Sequence, residues 1–143
     1  MSQSDDFKSK AEQCDREVAA LEVKLQNAQA ALEKVQSRCD EDIKAAQNKV
    51  DSLGQYTGED GTVTYENDIA SWQSRIATLE QQKEHESQQM STDITRYQDE
   101  LSAKRAEASQ YWSLYESARE AEERQNALTA MHIAANDPNR NTN

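Results

Sequence analysis

Ten residues in the first third of the chain, Phe7, Ala11, Cys14, Val18, Leu21, Leu25, Ala28, Leu32, Val35 and Cys39, follow one another in alternating steps of four and three without a miss. In an α-helix that spacing places all of them on one narrow stripe, and a stripe sustained over several heptads specifies a coiled coil. The step after Cys39 is four again, to Ile43, after which Ala46, Val50 and Leu53 resume the pattern. Two successive fours form a stutter, where a supercoil locally unwinds. Ser4, followed by Asp5 and Asp6, offers a capping side chain and two carboxylates suited to the positive end of the helix dipole.

A second stripe runs through Ile69, Trp72, Ile76 and Leu79, then through Met90, Ile94, Tyr97, Leu101, Ala108, Tyr111, Tyr115 and Ala118. Asn67-Asp68 can cap its start, and Pro138 stops it, because the residue before a proline is driven out of the helical region. Between the stripes lies a segment with all three glycines, in which Asp60-Gly61 is a favoured two-residue hairpin turn. Folding about that turn sets Thr57 opposite Thr64 and Tyr56 opposite Tyr65, both good cross-strand pairs. Nearly the same fold axis sets Leu53 against Ile69, Val50 against Trp72, Ala46 against Ile76, Ile43 against Leu79, Leu25 against Tyr97, Leu21 against Leu101, Cys14 against Ala108, Ala11 against Tyr111 and Phe7 against Tyr115. Turn chemistry and seam matching agree on the register to within one residue.

The expected fold is therefore all-α: a long antiparallel coiled-coil helical hairpin with a short β-hairpin at its tip and an extended C-terminal helix. Its parts are a first coiled-coil helix over 1–53, a tip over 54–66, a second helix over 67–135 and a disordered tail over 136–143. Each arm spans about 70 Å at roughly 1.5 Å per residue. Composition supports long, solvent-washed helices over a compact domain, since only 35% of residues are apolar and 30% are charged, with three Gly and one Pro in 143 residues.

The net charge of −11 disfavours nucleic acid as a partner. Basic residues are scattered singly, Lys104-Arg105 being the one adjacent pair. No run approaches the roughly 18 apolar residues of a membrane span. Met-Ser-Gln-Ser-Asp-Asp has neither the basic nor the apolar part of a secretory signal, so the expected compartment is the cytosol, or a secretory granule if a leader has been removed.

Chemistry-bearing residues are few. Cys14 and Cys39 lie on one stripe about 37 Å apart along a helix, too far for a disulfide between them. They read either as two small core residues or as an interchain bridge in an oligomer. Aligning Gly61 with the invariant glycine of an EF-hand loop puts Tyr56, Gly58 and Asn67 where that site needs oxygen-rich ligands, so the match fails. Glu59, Asp60, Glu66 and Asp68 remain as a loose acidic tip for a weak Ca2+ contact. The polar run 80–89 interrupts the second stripe opposite Val35 and Cys39, and reads as a hydrated patch or a partner's site. His85 and His132 have no ordered company. No nucleophile with its base, phosphate loop, metal-ligand set or cofactor signature is present, so the chain reads as a non-enzyme. Phe7, Tyr111, Trp112 and Tyr115 collect at the open end of the hairpin, and Leu128 and Met131 extend beyond it. These six are the candidate interaction residues, as seam packing or as a docking surface.

The leading expectation is a structural or scaffolding subunit that bundles laterally with itself or with related coiled-coil chains. Helix–β-hairpin–helix order also resembles the beta-class prefoldin subunit across the whole chain, which implies a chaperone or adaptor with free arms. A small, acidic coiled-coil composition is similar to ciliate trichocyst matrix proteins, which implies a calcium-condensed secretory matrix. The acidic pair Glu59-Asp60 on a helical arm resembles transcript-cleavage factors of the Gre type, although the arms are too long for that family.

Overall fold

The computed structural model describes residues 2–54 and 64–136. Two helices, α1 (Gln3–Gly54) and α2 (Thr64–Ala135), pack against each other, and the described residues include no strand.

Both helices start ahead of the caps that the sequence reading assigns them. Ser2, not Ser4, caps α1: its hydroxyl accepts the Asp5 N–H at 3.2 Å and its carbonyl accepts the Asp6 N–H at 3.1 Å. Ser4, released from that duty, is buried at 5% exposure. Its N–H and hydroxyl both donate to the Glu122 carboxylate, at 3.1 and 2.5 Å. At the other end Gly54 is helical, and α2 begins at Thr64 instead of after an Asn67-Asp68 cap. Thr64 and Tyr65 therefore belong to a helix, where the sequence reading places them in the tip hairpin. Glu66 in the first turn of α2 suits the helix dipole, so continuing the helix backward gains favourable electrostatics as well as backbone hydrogen bonds. The Asp60-Gly61 turn, Tyr56, Thr57, the Glu59-Asp60 acidic pair and the tail from Asp137 onward lie outside the described residues. At its C-terminus α2 closes with the Asn136 N–H shared between the carbonyls of His132 and Ile133.

The packing falls into two compact units, Met1–Glu22 with Asp99–Asn143, and Val23–Gln98. In both, the buried and half-buried positions of α1 are the stripe residues: Ala11, Cys14, Cys39 and Ala46 are buried, and Phe7, Val18, Leu21, Leu25, Ala28, Leu32, Val35, Ile43, Val50 and Leu53 are half-buried. On α2 the buried members are Leu79, Ile94, Leu101 and Ala108. Trp72 departs from the expectation and remains 36% exposed.

Within Val23–Gln98, Lys83 Nζ reaches Asp40 at 2.5 Å and Gln36 Nε2 donates to Ser87 at 3.4 Å. Both contacts fall within one residue of the pairing read from the sequence. The run 80–89 is an unbroken stretch of α2 whose half-buried residues are Lys83 and Ser87. Leu79, Lys83, Ser87 and Met90 step by four, four and three, as Val35, Cys39, Ile43 and Ala46 do on α1. The polar run is thus a second stutter, lying opposite the first, and its seam positions happen to carry a lysine and a serine.

Candidate interaction surface

Within Met1–Glu22 and Asp99–Asn143 the α2 stripe also runs without interruption. Steps of three and four from Leu101 pass through Lys104, Ala108, Tyr111, Tyr115 and Ala118 to Glu122, all buried or half-buried. Lys104 therefore occupies a seam position. Its ammonium lies between the carboxylates of Glu17, at 2.8 Å, and Glu107, at 3.1 Å, with its side chain 31% exposed. The aliphatic stem covers the seam while the charged head meets two carboxylates at its edge. Those two hydrogen bonds, Glu17's first, hold the Lys104 pKa well above its ordinary value. The same Lys104 hydrogen bond is the main cause that lowers the Glu17 pKa. Cys14 sits beside this cluster, a free thiol at 4% exposure. Burial, and then the nearby Glu107 charge, raise its pKa, which keeps it a protonated, unreactive thiol. Cys39 is likewise free and buried. An interchain disulfide through either sulfur would require the seam to open.

Two of the candidate interaction residues are joined by a ring contact, and two lie under cations. Trp112 and Tyr115 meet edge to face, with centroids 5.6 Å apart. Lys10 lies over the Tyr111 ring at 5.7 Å and Arg119 over Tyr115 at 5.9 Å. The Trp112 indole N–H donates to Asp15 at 3.0 Å, tying α2 to α1. Arg105 reaches Glu22 at 2.9 Å on the same pair of helices. Tyr111, Trp112, Tyr115 and Phe7 are all half-buried, so their first role is to seal the seam with the large flat surfaces that aromatic side chains provide.

Leu128 and Met131 have a different setting. Every residue from Glu123 to Asn136 is exposed, and Leu128, Met131 and Ile133 show 59%, 66% and 65% of their surface. Leu114, one turn before Ala118, is also exposed, at 37%. Sequence reading placed Leu128 and Met131 here but passed over Leu114 and Ile133. It reads Ser4 as a cap and does not read Lys83, Ser87, Lys104 and Glu122 as seam residues, because polar side chains on a seam look like polar side chains anywhere. The available signal was arithmetic, since the three-and-four stepping of the apolar neighbours lands on each of the last four.

Among the described residues no group of three or more His, Cys, Asp or Glu side chains is arranged to hold a metal ion, and no helix is long and apolar enough to cross a membrane. His85 is exposed, and His132 contacts Asn136 at 3.1 Å. Comparison with protein-family models, with curated proteins and with solved structures found no match to this chain.

Proposed function

We propose that this chain is a non-enzymatic coiled-coil structural protein that assembles laterally with copies of itself or with related chains. The observation that carries this reading is the exposed end of α2, where Leu128, Met131 and Ile133 are each about three-fifths or more exposed, with no helix packed on that end among the described residues. Ordered apolar side chains presented on a preformed helix lose little entropy on docking, and they are costly to leave in water. The three-and-four burial of both helices supports a coiled-coil seam, which leaves the outer faces free for further helices. The net charge of −11 points to protein partners in preference to nucleic acid.

Light scattering from micromolar to several hundred micromolar protein tests the proposal. A mass that rises above the monomer with concentration is the expected result. A monomer throughout would refute self-assembly, and a monomer that suppresses aggregation of an unfolded client would favour the adaptor reading instead.

A further inference from the structure

The exposed residues near the end of α2 carry a pattern of their own. Leu114, Ser117, Ala121, Arg124, Leu128, Met131 and Ala135 follow steps of three and four, and all seven are exposed. At about 100° per residue this stripe lies roughly 120° around the helix from Tyr115, Ala118 and Glu122, which face α1. It is a second seam, three heptads long, with no helix against it among the described residues. Heptad spacing fits an α-helical occupant, because knobs at 3.5-residue intervals enter the holes of another helix and not the pleats of a strand.

We propose that the occupant is the same stripe of a second copy, packed antiparallel. The inference rests on the self-assembly reading and names its surface. In an antiparallel seam the residues of the two heptad positions alternate across each layer, as they do between α1 and α2. Applied here, Leu114 meets Met131 of the second copy, Leu128 meets Ser117 of the second copy, and Ala121 meets Arg124 of the second copy. Large side chains face small ones through the centre, and a Leu–Met layer closes each end. Arg124 comes beside Glu120 of the second copy, so two opposite-charge pairs flank the two-fold axis. A parallel pairing would instead set Arg124 against Arg124 in the seam, a like-charge layer that disfavours it. Closed two-fold symmetry also limits the product to a dimer through this surface. Three heptads of two-helix contact lie at the small end of specific interfaces, below about 1,200 Å², so micromolar association is expected.

The experiment is sedimentation equilibrium on the whole chain with L128E/M131E, R124E and E120R/R124E. All the substituted side chains are exposed, so helix content measured by circular dichroism should be unchanged. L128E/M131E should lose self-association. R124E should weaken it by at least about tenfold, and the charge-swapped E120R/R124E should recover it. Mixing the single variants L114C and M131C under oxidant should give the mixed crosslink, while the two native cysteines stay buried. If L128E/M131E associates like the native chain, this surface is wrong and the assembly reading stands on another. If L114C crosslinks only to itself, the antiparallel arrangement is overturned. If the native chain is a monomer at every concentration, both readings fall.

Discussion

Leu101 and Leu128 are the same residue on the same helix in opposite surroundings, and Leu→Ala at each site measures what the seam contributes. Leu101 is 5% exposed and faces Leu21 in the register read from the sequence. Truncation removes three carbon groups, each worth about 0.8 kcal/mol when buried, so the transfer loss is about 2.4 kcal/mol. Larger Leu→Ala losses of up to about 5 kcal/mol come from closed cavities, and a two-helix seam is open at its edges, so water or neighbours refill the space. The expected cost is therefore about 2–2.5 kcal/mol, a factor of roughly 40 in the folded-to-unfolded ratio. Leu128 is 59% exposed, which leaves less than about 1 kcal/mol of burial to lose, and the better helix propensity of alanine offsets part of that. The net expectation there is a change within about 0.5 kcal/mol. The assay is urea denaturation followed by circular dichroism, at a concentration where light scattering gives a monomer. A cost below about 0.5 kcal/mol for Leu101→Ala, or equal costs at the two sites, would refute the claim that the three-and-four seam holds these helices together.

Lys83→Leu fills the α2 stutter with an apolar side chain. Burying about two-thirds of a leucine outweighs the loss of one largely exposed ion pair with Asp40, so urea midpoints should rise by the equivalent of about 0.5–1.5 kcal/mol. The Lys104 cluster makes stability pH-dependent at both ends of the scale. The Glu17 pKa is lowered, so below its ordinary value of 4.5 the unfolded chain takes up the proton first and stability falls with falling pH. The Lys104 pKa is raised, so above its ordinary value of 10.5 the unfolded chain releases the proton first and stability falls with rising pH. Lys104→Met should flatten both limbs in a series of thermal melts, and unchanged slopes would refute the pairing. Cys14 and Cys39 should react slowly with a disulfide reagent in the native protein and fast in denaturant, and a native Cys14 rate equal to that of a small thiol would contradict its burial.

The two packed helices were legible because the signal is redundant: α1 carries fourteen stripe positions, and none of them is exposed. The seam positions that escaped notice are polar. Lys104 and Lys83 are on the seam by virtue of their stems, which no hydropathy reading separates from surface lysine. Helix boundaries escaped for a different reason. Ser2 and Ser4 are chemically equivalent caps two residues apart, each followed by acidic residues, and the choice falls to Glu122, which is far away in sequence and claims Ser4. Thr64 and Tyr65 favour strands by local propensity, but propensity is a weak prior against a helix already growing through Glu66 and Asn67. Leu128 and Met131 were legible as surface residues. The second stripe containing them was not, because four of its seven members are Ala, Ser or Arg, which carry little hydropathy signal.

The facing stutters give the two helices something like a key and its lock. A uniform heptad seam tolerates slippage, since a shift of seven residues restores the same contacts. Here a shift of seven carries the double-four step of α1 onto an ordinary four-three stretch of α2, and the apolar stripes then turn out of phase over the segment between the two stutters. Staggered pairings are penalised along their length and the native alignment alone escapes the penalty. Under the proposed assembly, this matters most when many copies fold side by side. Helices that cannot trade places in offset steps finish folding with their own partner helix, and in the proposed assembly would meet their neighbours only afterwards, by their outer faces.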